Sequence, residues 1–573
     1  MLERSPEENA APADRKGPPA VDREATPRAL AAGLSVGALL AVANLYVGLS
    51  VGFWDSGHVT AAVLAYALMS ALGRGHGRRE TIFALTVAVA AGAMPAVSGL
   101  LGPIPALAQL GSPRPPAALL AGWGAALGFL GVLLALLLRR RLIVDERLPF
   151  PSGIATSELV SAMHAGGTSS GKARALLIAA AIAAAFAWLR DGKLALIPGL
   201  IALPGAISGV SLASLTLGVG MSPLLAGIGA LIGLRVAAAL LAGSLTAWLI
   251  IVPALLRAGG TADSAAAFLA WPAVALLIGA AAVSLGKLLK TFGAGARDLA
   301  ASSTQARAGT SGAAVAIFAA SAAAVLGLGV LLFELPLLHG LLALLASVPL
   351  AALCGRAAGQ TDVSPAGQAS QLTQAAFAPL VRGRAALDVA AAAVVSGTSA
   401  QTGVTLWSLK AGHLLGSTAR AQAIAALIGS AAGAVISGAA YAVLFRGNTL
   451  PKLPMPNAQQ WRTLAELTAS GAQALPDGAG KAAAVAFAIG AILQLLADTK
   501  AARYLPDPTA FGIGMLLPAH AAAAAFVGAG ASAVWQRARP ESHAALGNVV
   551  AGGLVAGESV AGLAVAVVGV AGG

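Results

Sequence analysis

AALLAGWGAALGFLGVLLALLLRRR occupies residues 117–141. Its first 22 residues carry no charge, and Arg139, Arg140 and Arg141 close it. A helix rises about 1.5 Å per residue, so such a run matches the roughly 30 Å hydrocarbon core of a bilayer. Lipid offers the backbone no hydrogen-bond partner, and a helix satisfies its own groups. Arginines gather at the cytoplasmic end of a span. The stretch reads as a membrane helix with its C-terminal end in the cytoplasm.

The pattern recurs along the chain. Of 573 residues, 10% are charged and 58% hydrophobic, which excludes an ordinary soluble enzyme and a disordered chain. The mean hydropathy is +0.82. The 70 Gly and 30 Pro follow no collagen period and suit close-packed membrane helices. The net charge of +13 comes from short Lys/Arg clusters between apolar runs, so it reads as topology and not as nucleic-acid binding. A single cysteine, Cys354, excludes an internal disulfide or a cysteine metal cluster. No metal site and no cofactor is expected.

The sequence predicts an all-α polytopic membrane protein with about sixteen transmembrane helices in two parallel repeat halves, 28–310 and 311–573. Residues 1–27 form a disordered cytoplasmic tail. First-half spans are expected near 28–52, 56–72, 81–101, 117–138, 174–190, 196–218, 235–256 and 266–289. Second-half spans are expected near 312–334, 337–354, 362–379, 385–404, 422–445, 481–498, 508–535 and 545–570. Those at 196–218 and 362–379 contain Pro, Gly and hydroxyl residues and read as broken or re-entrant. Basic clusters at Arg74–Arg79, Arg139–Arg147 and Lys287–Arg307 put the ends of even-numbered spans in the cytoplasm, while Arg537 and Arg539 break the rule.

Two stretches repeat at an offset of 285: SPLLAGIGALIGL from Ser222 and DPTAFGIGMLLPA from Asp507. Trp248 and Trp535 close them. Internal repeats are a recurring plan of secondary transporters, and chance likeness among Gly/Ala-rich segments is the competing reading. PSGIATSEL (151–159) and PAGQASQLT (365–373) form a second echo at another offset.

Four polar blocks interrupt the apolar sequence. NLYVGLSVGFWDSGH (44–58) places Asp55 and His58 at a junction of two spans, either as proton carriers or in a solvated turn. RLPFPSGIATSELVSAM (147–163) puts Glu158 on a short helix, lining a path or facing solvent. GQTDVSPAGQASQLTQAAF (359–377) is the most polar stretch in the apolar region. Asp362, Ser364, Gln368, Gln371 and Gln374 supply many donors and acceptors with one charge, which fits a substrate-lined segment better than a lipid face. Helix capping by Thr361, Asp362 and Ser364 is the alternative. SGTSAQTGVTLWSLKAGHLLGSTARAQ (396–422) places Lys410 and His413 three apart, on one helix face. Glu80 joins the third span. The proton-coupling candidates are His58, Glu80, Glu158 and His413, and the substrate candidates are Asp362, Ser364, Gln368, Gln371, Gln374 and Lys410. No nucleotide-binding loop and no H-E-x-x-H motif is present, so an ion gradient must drive accumulation.

These blocks resemble the oligopeptide transporter family, which includes the yellow-stripe-like metal-chelate transporters. NLYVGLSVGFWDSG (44–57), LPFPSGIATSELV (148–160), GQTDVSPAGQASQLTQAAF (359–377), LKAGHLLGSTARAQ (409–422) and LPDPTAFGIGMLLP (505–518) occur in family order. The resemblance implies some sixteen membrane helices and proton-coupled uptake of small peptides or metal–chelator complexes across the cell (inner) membrane. Departures fall at Ser50 (usually Lys), His413 (usually aromatic), Ala419 (usually Pro) and the third span, which lacks the family's amides. The expected partners are lipid, substrate and protons. A passive channel or facilitator is the alternative. A membrane-embedded enzyme is disfavoured, because no pair of catalytic carboxylates and no nucleophile with a base stands out.

Overall fold

Thr26 starts the first helix. Its hydroxyl accepts the Ala29 N–H and Pro27 occupies the first turn, where a missing N–H costs nothing. The helix α1 (Pro27–Val51) ends at Gly52, whose left-handed φ of 73° lets its N–H reach Gly48 O. The structure, a computed structural model, describes residues 24–52, 54, 57–73, 75–164, 169–191, 196–207, 210–212, 215–259, 265, 268–269, 271–280, 282–283, 312–361, 364–378, 380, 384–446, 453–470, 478–497 and 499–571. Most of the tail, Asp55, Arg74, the basic cluster at 287–307 and Asp362 lie outside them.

After α1 come α2 (His58–Leu72), α3 (Arg78–Gly92), α4 (Met94–Val97), α5 (Pro103–Gln109), α6 (Ala117–Arg139), α7 (Pro151–His164) and α8 (Ser169–Asp191). Next are α9 (Pro223–Ile232), α10 (Leu234–Leu245), α11 (Val252–Arg257) and α12 (Trp271–Ala280). The remainder is α13 (Gly312–Phe333), α14 (Leu337–Thr361), α15 (Ala366–Phe377), α16 (Ala385–Leu414), α17 (Ala419–Arg446), α18 (Pro456–Ser470), α19 (Ala479–Leu496), α20 (Pro508–Leu516), α21 (Ala519–Ala538) and α22 (Pro540–Ala571). Among the described residues ten helical segments are long and apolar enough to cross a bilayer, and three shorter apolar ones accompany them. The chain is a polytopic helical membrane protein.

Two expected spans take another form. The described part of 196–218 has no helix. Instead β1 (Leu200–Ala202) pairs antiparallel with β4 (Gly218–Gly220), and β2 (Ala206–Ile207) with β3 (Val210–Ser211). Pro198 and Pro204 withhold donors that a helix needs, and Gly205 turns the chain at φ 126°. The expected span 508–535 is two helices, α20 and α21, separated where Pro518 interrupts the ladder. The break foreseen at 362–379 is present: α14 stops at Thr361, and α15 spans only 12 residues, about 18 Å.

Helices α3 and α16 lie inside, with 94% of each apolar window buried, whereas α13 and α19 bury only 17% and form the outer face. The largest core cluster joins α1–α7 to α13–α18, and a second joins the segment from Leu215 to Leu276 to α19–α21. Each cluster thus draws on both sequence halves.

The offset of 285 reappears as contacts. Gly229 of α9 lies against Ala525 of α21, where an added Cβ would come within 1.7 Å of the Ala525 oxygen. Gly514 of α20 lies likewise against Leu240 of α10, at 2.1 Å. The shift that takes Gly229 to Gly514 takes Leu240 to Ala525. A second such pair is Gly528 with Ala226 and Gly243 with Phe511, each at 2.0 Å. The N-caps also correspond, Ser222 to Leu225 N and Asp507 to Ala510 N.

Candidate translocation site

Helix α16 carries a buried polar stripe. Thr398, Ser399, Gln401, Thr402, Thr405 and Ser408 are all at most 2% exposed, and Lys410 is 7% exposed. Close neighbours make this burial possible. Gly131 of α6 brings its backbone against Thr398 and Gln401, and Gly153 of α7 against Trp407 and Lys410. Part of the stripe is satisfied by protein. Thr402 Oγ1 donates to Thr398 O at 2.8 Å, Gln401 Nε2 to Ser430 Oγ at 3.1 Å, and Lys410 Nζ to Leu148 O at 2.9 Å.

The rest is not. Thr398 Oγ1, Gln401 Oε1, Thr405 Oγ1 and Trp407 Nε1 are buried without a hydrogen-bond partner among the described residues. Thr398, Gln401 and Thr405 are spaced three and four apart, so they share one face. On α15, which packs along α16, Gln371 Oε1 and Gln374 Oε1 are in the same state, also three apart. Gln374 Nε2 is held by Trp461 O of α18 at 3.0 Å. Each unmatched buried polar atom costs on the order of 1–3 kcal/mol, so five oxygens on two packed helices call for a polar occupant.

The substrate candidates therefore divide. Ser364 touches α16 at Gly403, where a Cβ would sit 3.0 Å from Ser364 Oγ, and it flanks the Cys354 thiol together with Ser399. Gln371, Gln374 and Lys410 join the same region. Asp362 and the Gln368 side chain lie outside the description. Among the described residues, Gly229 lies against Ala525 of α21 and Gly514 against Leu240 of α10.

The proton candidates also divide. His58, 3% exposed, lies with Nε2 3.1 Å from Ser408 Oγ and its ring edge-on to Trp407, at 5.9 Å between centroids. It reaches the polar stripe from α2. Glu80 faces elsewhere: Arg28 binds both of its oxygens at 2.6 Å, and Thr26 donates to it as well. It ties α3 to the start of α1. Glu158 and His413 are exposed, on α7 and in the last turn of α16.

One charged centre escaped the sequence analysis. Glu558 of α22 is 3% exposed and pairs with Arg190 of α8 at 2.8 Å. It also accepts Ser222 Oγ at 2.9 Å and Leu224 N at 2.7 Å, capping α9. The signal was a lone carboxylate in the apolar run GLVAGESVAGL (553–563). A separate apolar cavity of about 300 Å³ opens beside Leu107, Arg114 and Tyr441, away from all of these residues.

Residues 24–568 match the family described as OPT oligopeptide transporter protein. The chain belongs to the OPT family. Among curated OPT relatives, the putative oligopeptide transporter YGL114W of Saccharomyces cerevisiae is 29% identical over 213 residues, 35% of this chain and 29% of the relative. A putative oligopeptide transporter of Haemophilus influenzae is 30% identical over 214 residues, 36% of this chain and 32% of the relative. The probable metal-nicotianamine transporter YSL14 of Oryza sativa subsp. japonica is 26% identical over 215 residues, 35% of this chain and 30% of the relative. The aligned stretch spans about a third of each relative's length.

Proposed function

We propose that this OPT protein imports small peptides or metal–chelator complexes, driven by the proton gradient, along a path lined by α15 and α16. The observation that carries this reading is the set of buried, unpartnered oxygens of Gln371, Gln374, Thr398, Gln401 and Thr405. A peptide or chelate loses water from several amide and charged groups on entry, and neutral donors and acceptors replace that water without binding it too tightly. Ser364, Gln368 and Lys410 belong to the same lining, with Asp362 as a cation or proton partner. His58 is the proton candidate nearest the lining. Glu158 and His413 stand at helix positions open to solvent or lipid, and Glu80 serves packing through Arg28.

The halves 28–310 and 311–573 are read as repeats, with about sixteen spans in the whole chain. The reciprocal Gly229/Ala525 and Gly514/Leu240 contacts support the repeat.

The test substitutes Gln371→Leu and Gln374→Leu and measures uptake of labelled tripeptides and of iron and nickel chelates. Lost uptake with normal insertion and unchanged melting supports the lining, and normal uptake sinks it. A protonophore is expected to abolish accumulation. Uptake that persists in its presence favours a passive facilitator.

A further inference from the structure

Two histidines meet at one hydroxyl. His76 lies in the 73–77 connection between α2 and α3, and His164 ends α7. Thr81 Oγ1 of α3 is 3.3 Å from His76 Nδ1 and 3.3 Å from His164 Nε2. The outer nitrogens are anchored as well, His76 Nε2 at 2.9 Å from Ser70 Oγ and His164 Nδ1 at 2.9 Å from Val160 O. A carbonyl only accepts, so His164 Nδ1 carries a proton and the neutral ring turns the lone pair of Nε2 toward Thr81. The hydroxyls of Ser70 and Thr81 each donate and accept, and each has an alternative acceptor: Tyr66 O at 2.8 Å and Gly77 O at 3.2 Å. The Tyr66 ring stands edge-on to both imidazoles at 4.9 Å, and the two imidazoles are 5.2 Å apart between centroids.

The result is an unbroken chain from Ser70 through His76 and Thr81 to His164. We propose that this chain is a proton relay, in which a proton on His76 passes to His164 through the Thr81 hydroxyl. The transfer balances within the chain. A doubly protonated His76 donates Nδ1–H to Thr81 Oγ1 while the Thr81 O–H points at His164 Nε2. The His76 N–H bond breaks as a new O–H bond forms on Thr81. The original Thr81 O–H breaks as an N–H bond forms on His164. His76 ends neutral, His164 ends cationic, Thr81 is regenerated, and no other reactant is needed.

The surroundings disfavour a proton resting on His76. The charged groups facing it are Arg28 of α1 and Glu80 of α3, already paired with each other, and His164 itself on α7. From α2 it meets the uncharged Tyr66 ring. Burial first, then the charges of His164 and Arg28, hold His76 below the usual histidine range, with Glu80 acting the other way. A proton on His76 is therefore poorly held. Arg78 and Arg79 mark this end of α3 as cytoplasmic in the expected orientation. The far end of α7 lies on α16, where Gly153 meets Lys410. The purpose of the relay rests on the proton-coupled reading, whereas its existence is measured without any substrate.

The full chain is placed in nanodiscs with ¹⁵N-labelled imidazoles and titrated between about pH 8 and pH 5. The chain has seven histidines, so His76→Gln and His164→Gln assign the two signals. Both signals are expected to move over one shared pH interval and to account for one proton. Thr81→Val is expected to separate them, and Thr81→Ser to keep them together. In His76→Gln, the His164 signal is expected to shift its titration. Independent titration in the wild type, coupling that survives Thr81→Val, or a His164 titration indifferent to His76→Gln overturns the relay. Uptake that ignores a protonophore removes the proton-coupled reading instead and leaves this titration to judge the relay.

Discussion

The Glu558 carboxylate lies 2.8 Å from the Arg190 guanidinium, and the two bring together α22, α8 and the capped start of α9. Arg190 also binds the neighbouring Asp191 and donates to Met221 O at 2.6 Å. Among the described residues, Glu558 keeps the uncharged donors Ser222 and Leu224 N once Arg190 is gone. The two partners are therefore not equivalent.

Arg190→Met is expected to destabilise the protein by about 3–5 kcal/mol, the usual effect of leaving one member of a buried pair uncompensated. Glu558→Gln is expected to cost less, because Asp191 still faces Arg190. The double variant Arg190→Met/Glu558→Leu should recover part of the loss. Thermal unfolding in detergent reads all three, and a Glu558→Gln loss larger than that of Arg190→Met contradicts the argument.

The reciprocal glycine contacts predict matched effects. Alanine at Gly229 or Gly514 forces a Cβ into the oxygen of the partner helix, at 1.7 and 2.1 Å. Backbone does not yield as a flexible side chain does, so each substitution is expected to cost at least about 1–3 kcal/mol. Gly530, which has nothing within 4 Å, is the control and should accept alanine freely. Equal melting of all three variants removes the packing argument.

Glu80 is expected to behave as a staple. Glu80→Gln loses the two-pronged contact with Arg28, and a hydrogen bond to a charged group is worth about 1.5–3 kcal/mol. The variant should melt lower yet keep protonophore-sensitive uptake in the molecules that fold. A variant of normal stability that has lost proton coupling returns Glu80 to the proton path.

The pH dependence of stability has a defined sign. The native state holds His76 below its ordinary value, chiefly by burial, so the unfolded chain binds protons there more readily. The stabilisation is present above the unfolded value of about 6.5 and is lost as pH falls below it. Melting temperature is expected to fall on acidification through that range, and to fall less steeply in His76→Gln. Parallel pH curves for the two proteins count against this assignment.

Much was legible in the chain because its causes are local. A run such as 117–138 must be helical in lipid whatever surrounds it, and Pro365 suits the start of a helix, where α15 begins. The polar stretch 359–377 was read as unsuited to lipid from desolvation cost, and among its described residues Ser370, Thr373 and Gln374 are buried. The matching stretches from Ser222 and Asp507 suggested a repeat, but their neighbours were not legible. Residues 196–218 were read as broken, as Pro198 and Pro204 require, but the short antiparallel strand pairs found there were not legible.

Composition, the apolar runs and the local caps at Thr26, Ser222 and Asp507 were determined by the sequence itself. Only the tertiary structure decided that Glu80 belongs to Arg28, that Glu558 belongs to Arg190, and that His76 and His164 share Thr81. Fifty-two residues separate the first pair and 368 the second. Helix formation is set by contacts within one turn, whereas these pairings depend on which helix faces meet when close-packed glycines bring distant backbones together.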